Sequence, residues 1–286
     1  MGDQYQEITD RIVKALEAGA SGASWVKPWR SLGISGLPRN GATNREYRGI
    51  NVWLLALSGY GDARWYTFNQ VKDMGGSVLK GEKGTRIVFF RFFERTNADG
   101  ELVKSCVTRF YTVFNHAQTN LPVDSAPLAD IDPSERYANA LRTLGALDVR
   151  VTHGGDRAYY SPVTDAITLP NPGQFTSPEA YLATYAHEAS HATSAASRCG
   201  RELGKRFGDR QYAIEELIAE LSSTFLCSKM GVPSDMDNHV CYLQSWIDAL
   251  KADRTAILTV AKLAQASADY ILGASGVDEG EEEEAA

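Results

Sequence analysis

The sequence predicts an α+β protein in two parts. The first is an N-terminal curved antiparallel sheet with flanking helices, and the second is a C-terminal, mostly helical part with a small sheet. Three observations carry that reading. Two apolar stretches, residues 86–93 and 107–114, flank Asn97-Ala98-Asp99-Gly100 in the pattern of a β-hairpin. A His-Glu-x-x-His run from His187 to His191 lies in a stretch of helical periodicity, and a second helix rich in acids follows from about Gln211. Charge divides the chain between these features. Residues 1–125 hold 16 Lys and Arg against 12 Asp and Glu, and residues 126–286 hold 13 against 24. Pro122, Pro127 and Pro133 stand among small and acidic residues as a linker, so the expected domains are 1–125 and 126–286.

In the first part, residues 4–18 read as an amphipathic helix with Ile8, Ile12, Val13 and Leu16 on one face. Trp25-Val26-Lys27-Pro28-Trp29-Arg30 follows as an extended, aromatic and basic surface. A polar loop then leads to Tyr47-Arg48-Gly49-Ile50-Asn51-Val52, the entry to a buried helix. Trp65 to Gln70 is a short strand or turn ahead of another helix. Gly75 to Gly84 is a glycine-rich turn carrying Lys80 and Lys83. The hairpin comes next, its return strand ending in Asn115-His116.

The second part opens with a helix over 134–144, followed by short strands near Val149, Ala158 and Asp165. Ser177-Pro178-Glu179 starts the next helix with a cap, a first-turn proline and an acid at the positive end of the dipole. On this helix His187 and His191, four residues apart, share a face and can reach one metal ion. Glu188 stands beside them, where a carboxylate can take a proton from water at the metal. Zn2+ suits neutral imidazoles, a carboxylate and an open fourth position, with Mn2+ or Co2+ as alternatives. The following helix carries an apolar stripe of Leu217, Leu221 and Leu226, with Glu216 and Glu220 four apart on one face. Residues 237–272 read as helical, and the acidic tail from about 276 as disordered.

Composition excludes several classes. A hydrophobic fraction of 43% over 286 residues supports packed cores. Cys106, Cys199, Cys227 and Cys241 show no C-x-x-C spacing, which fits reduced thiols. The polar start has no apolar signal region and no run reaches membrane-spanning length, so a soluble cytoplasmic protein without membrane partners is expected.

The chain resembles the antirestriction protein ArdC family of conjugative plasmids and phages. The resemblance rests on Trp25 to Trp29, Tyr47 to Val52, Trp65 to Gln70, Gly76 to Gly84 and Tyr111 to Gln118. It continues through Ala158 to Pro162, Asp165 to Pro170, the His-Glu-x-x-His helix and the Glu216–Glu220 helix. It implies a single-stranded-DNA-binding domain joined to a zincin-like metallopeptidase domain, and a role in protecting invading DNA from host restriction. Glu216-Leu217-Ile218-Ala219-Glu220 is similar to the E-x-x-A-D pattern of zincins. That implies Glu216 as third ligand and Glu220 as the carboxylate that holds a histidine tautomer, with Glu215 the remaining acid in the choice. Residues 166–169 are placed like the zincin edge strand that pairs with substrate, with a plain structural strand as the alternative. Tyr159, Tyr160 or His239 would then face the oxyanion.

Single-strand binders combine cationic grooves with aromatic faces. The candidate platforms are Trp25, Trp29, Tyr47, Trp65 and Tyr66. The candidate phosphate contacts are Lys27, Arg30, Arg39, Arg45, Arg48, Lys80 and Lys83. Trp53, Phe68, Phe89 and Phe110 are assigned to the core. The expected partners are single-stranded DNA and a host protein substrate. The alternative reading is a DNA-binding shield or decoy whose metal site is structural. A nuclease reading is weaker, because such sites favour clustered carboxylates and Mg2+.

Overall fold

The computed structural model describes residues 2–20, 36–96, 101–122, 132–203, 210–233, 243–253 and 255–273. The predicted α+β architecture is present. Helix α1 (Gly2–Ala20) buries Ile8, Ile12, Val13 and Leu16, the face its periodicity marks. Strand β1 (Arg39–Asn40) pairs in parallel with β2 (Arg64–Thr67). Strand β2 runs antiparallel to β4 (Leu102–Asn115), whose other side takes β3 (Thr85–Thr96), giving the order β1-β2-β4-β3.

Helix α2 (Ile50–Ala56) is buried along its whole length and lies beside β3. Its Asn51 closes the free edge of that strand. Asn51 Nδ2 donates to the Val88 carbonyl at 2.7 Å, and the Val88 amide donates to Asn51 Oδ1 at 2.9 Å. An open edge would present these groups to another chain, so the side chain both satisfies and blocks it. Helix α3 (Phe68–Asp73) begins with a reciprocal cap between Thr67 and Gln70.

In the second part, α4 (Pro133–Gly145) is capped by Asp132 with a proline in its first turn. Strands β5 (Arg150–His153), β6 (Tyr159–Ser161) and β7 (Ala166–Leu169) form a sheet of order β5-β7-β6. For residues 166–169 this overturns the edge-strand alternative and leaves the structural strand. Strand β7 is the middle strand, parallel to β5 and antiparallel to β6, so neither of its edges is open to a substrate backbone. Its buried apolar run is what a central strand requires.

Helices α5 (Pro178–Ala192), α6 (Arg210–Lys229), α7 (Leu243–Ala252) and α8 (Ala256–Ile271) complete the second part. Helix α6 packs against α5, α7 and α8, and Glu215 to Ser228 are all buried. A helix covered on all sides needs no single apolar stripe, which is why its Ser222, Ser223 and Thr224 lie inside. Each of these three accepts or donates a hydrogen bond there.

One apolar core runs through both parts, including Ile12, Trp53 and Trp65 as well as Leu217 and Trp246. Helix α1 packs on α7. Polar contacts cross the same boundary. Arg48 pairs with Asp269, Lys229 with Glu46, and the Gly49 amide donates to Gln265 Oε1 at 2.9 Å. Among the described residues no helix is long and apolar enough to cross a membrane.

Replacing Asn51 by alanine strips both partners from buried backbone groups of β3. The expected loss is about 2–6 kcal/mol, since each of the two orphaned groups costs about 1–3 kcal/mol. Thermal denaturation followed by circular dichroism reads this out, and an unchanged midpoint contradicts the edge-closing role.

Candidate metal centre

Helix α5 starts where Ser177 Oγ accepts the Ala180 amide at 3.1 Å, with Pro178 in the first turn and Glu179 at the positive helix end. Nine residues further on, His187 and His191 stack one turn apart on its buried side. Their Nε2 atoms are 3.1 Å from each other and their rings are nearly perpendicular, at 85°. Helix α6 brings Glu216 to both rings, 3.6 Å from His187 Nε2 and 3.6 Å from His191 Nε2. One ligand atom from each of the three residues lies within 4.8 Å of the others.

The far side of each ring meets another carboxylate. His191 Nδ1 is 3.3 Å from Glu215 Oε1, and His187 Nδ1 is 3.8 Å from Glu220 Oε2. A proton held at Nδ1 toward a carboxylate leaves the Nε2 lone pair pointing at the shared centre. Two imidazoles and a carboxylate facing one point form a three-ligand set with an open position. The residues present therefore fit a divalent metal ion.

Charge makes the same demand. Glu188, Glu215, Glu216 and Glu220 are all at most 7% exposed. Arg201 is a cation paired with this group, bound to Glu215. Burial pulls the His191 pKa down, but its hydrogen bond to Glu215 and the charges of Glu216, Glu188 and Glu215 outweigh this and raise it to about 9. Burial pushes Glu216 upward, yet the hydrogen bond from His187 and the charges of both histidines hold it at about 2. Without a metal, the site thus draws a proton into the place of a cation.

Glu188 follows the first histidine and is buried beside the cluster, where its charge acts on His191. Glu215 is the acid whose role the sequence leaves open. It lies behind His191 and not among the three converging ligand atoms. Tyr212, one turn ahead of Glu216, hydrogen-bonds that carboxylate and escaped the sequence reading. Tyr160 is occupied elsewhere, donating to Asp165 at 2.8 Å in a cluster that includes Arg198. Tyr159 is exposed, and His239 lies outside the described residues.

The nucleic-acid candidates divide sharply. Trp25, Lys27, Trp29 and Arg30 lie outside the described residues. Trp65 and Tyr66 are 1% and 2% exposed, and Tyr47 is also buried. A base cannot stack on a ring that the core already covers, which corrects the reading of these three as platforms. Burial pushes the Tyr47 hydroxyl up to about 12. Arg48 is engaged with Asp269, whereas Arg45, Lys80 and Lys83 are exposed. Phe68, expected in the core, is 57% exposed. The hairpin carries a surface that sequence reading missed. By register, Tyr111, Phe89, Arg109, Arg91 and Phe93 share one face of β3 and β4. Phe89 and Tyr111 meet edge to face at 5.3 Å and are half-buried against the core, whereas Arg91, Arg109 and Phe93 on the same face are exposed.

Comparison with known proteins covers both parts. A family model for the N-terminal domain of the anti-restriction factor ArdC matches residues 2–114, and a zincin-like metallopeptidase model matches residues 138–263. The crystal structure of metal-free antirestriction ArdC protein from plasmid R388 is 38% identical, covers 94% of this chain and 96% of that one, and superposes with a TM-score of 0.76. The Mn(II)-bound structure of the same protein is 37% identical over 94% and 97%, with a TM-score of 0.75. The uncharacterized protein y4eC of Sinorhizobium fredii is 35% identical over 94% of this chain and 91% of its own length. The DNA primase TraC of Escherichia coli is 36% identical over 94% of this chain, which spans only 20% of the primase.

A ligating imidazole must be neutral, so metal binding below pH 9 displaces the His191 proton. Apparent Zn2+ affinity should therefore fall roughly tenfold per pH unit from pH 8 to pH 6. Competition with a chromophoric chelator measures this, and a flat profile contradicts the assigned electrostatics.

Proposed function

This chain belongs to the ArdC family of antirestriction proteins, and from that membership we propose that it is a metal-dependent peptidase joined to a surface for single-stranded DNA. The observation that supports the peptidase most is the convergence of His187, His191 and Glu216, with Glu188 directly after the first histidine. In this reading those three residues hold Zn2+, or Mn2+ or Co2+ in its place. The bound ion supplies Lewis acidity toward a carbonyl and acidifies water. Glu188 accepts the proton of the attacking water and delivers it to the leaving amine. Glu215 and Glu220 hold the imidazoles from behind, and Tyr212 steadies Glu216 from one turn away. Burial of the carboxylates excludes bulk water from the charge cluster and strengthens each of these interactions.

The intact Glu188 favours an enzyme over a shield or decoy with a structural ion, because a structural site has no use for a general base. The peptidase substrate is a host protein. The functional division falls at residues 1–125 and 126–286, although the apolar core is shared between them. The DNA surface combines the exposed Arg45, Lys80 and Lys83 with the exposed Arg91, Arg109 and Phe93 of the hairpin. Stacking and phosphate contacts together suit unpaired strands. The protein acts in the cytoplasm, where entering DNA meets restriction enzymes.

Two outcomes test this. Glu188→Gln should retain metal yet lose hydrolysis by about 10²–10⁴-fold, the usual worth of a positioned base. Undiminished cleavage by that variant would exclude the mechanism. For the full chain, replacing Lys80 and Lys83 by alanine should lower the slope of log affinity for single-stranded DNA against log salt by about 1.4, at about 0.7 per contact. Fluorescence anisotropy over a salt series measures it, and an unaltered slope removes both lysines from the surface.

A further inference from the structure

We propose that Arg201 is the positioning residue of the metal centre, fixing Glu215 and through it the ring of His191. The guanidinium is buried, with its side chain 4% exposed. Its Nε donates to Glu215 Oε2 at 3.1 Å and its Nη2 to Glu215 Oε1 at 2.8 Å, a two-pronged grip on one carboxylate. Nη2 also donates to the Ser190 carbonyl at 2.8 Å, and Nη1 to Thr193 Oγ1 at 2.7 Å. Ser190 flanks His191, Thr193 closes the same helix, and Glu215 precedes Glu216 on α6. One side chain thus ties together the two backbone segments that present the second histidine and the carboxylate ligand.

The grip determines geometry at His191. Glu215 Oε1, the oxygen held by Nη2, is the one 3.3 Å from His191 Nδ1. With both carboxylate oxygens fixed by the planar fork, the acceptor for the ring cannot swing away, and Nε2 stays aimed at the shared centre. Lysine could keep the charge but not the two-pronged contact. Thr193 extends the frame by a 2.8 Å hydrogen bond to Ser267 Oγ on α8, which meets Ser222 Oγ on α6 at 2.9 Å. The site is therefore held by a polar network that closes on three helices.

The inference rests on the reading of His191 as a ligand. The test is Zn2+ titration of the full-length protein against a competing chelator at fixed pH, together with the melting temperature of the metal-free form. Arg201→Met should weaken Zn2+ binding about 10–100-fold, the usual cost of losing an outer hydrogen-bond partner. Glu215→Gln should weaken it comparably, and the double variant should be no weaker than the more damaging single one. Arg201→Lys should fall between wild type and Arg201→Met, and it carries the test if the methionine variant does not fold. Wild-type affinity in folded Arg201→Lys and Arg201→Met, with only a lowered melting temperature, would overturn the proposal by showing a plain structural staple. Multiplying effects in the double variant would overturn it too, since Arg201 would then act independently of Glu215. His191→Ala serves as the control. If it keeps full affinity, the ligand reading itself fails; if it loses metal while Arg201→Met does not, only the positioning role fails.

Discussion

Four carboxylates inside the packed junction of α5 and α6 form the constraint on which the rest of the second part depends. Buried charge is costly unless counter-charge and hydrogen bonds accompany it. One guanidinium and two imidazoles answer part of that demand, and a divalent ion held by His187, His191 and Glu216 would answer more. Helix α6 can carry Glu215, Glu216 and Glu220 inward only because α5, α7 and α8 surround it. The serines and threonine on its buried faces are each satisfied internally. Packing, charge and ligand geometry are therefore one problem with one solution, and no member can be removed without loading the others.

The boundary between the two parts is held by the same element that backs the site. Helix α8 receives Arg48 and the Gly49 amide through Asp269 and Gln265, and two residues before Asp269 its Ser267 meets Thr193 and Ser222. Arg48 follows a tyrosine that is itself buried, so the loop bearing Arg45 is anchored to the helices around the metal centre. The main core of the first part is consequently continuous with that of the second, and only a small cluster of Tyr66, Val71 and Leu121 stands apart from it. Ile12 and Leu16 on α1 pack toward α7, and the sheet shares its apolar cluster with both.

Much of the site was legible because its spacing is local. The pairs His187–His191 and Glu216–Glu220 each lie within one helical turn, and a sequence displays such a relation directly. The Arg201–Glu215–His191 chain was not legible, since its members sit on two helices and a loop and only folding brings them together. The place of strand β7 stayed open for a related reason: a buried central strand and a buried edge strand read alike until their partners are known. Tyr47, Trp65 and Tyr66 show the limit for aromatics, where residue type says nothing of inside or outside. The hairpin face was hidden because alternation becomes visible only once the register sets Phe89 against Arg109 and Arg91 against Val107.

On the proposed function, one ion sits between His187, His191 and Glu216, with Glu215 and Glu220 behind the rings. Anomalous diffraction from crystals of the Zn2+-loaded protein, recorded on both sides of the zinc edge, tests it most directly. A single strong peak is expected about 2.0–2.2 Å from both Nε2 atoms and from a Glu216 oxygen. A peak bonded to Glu215 or Glu220 in place of Glu216, or no zinc at the two histidines, would contradict it.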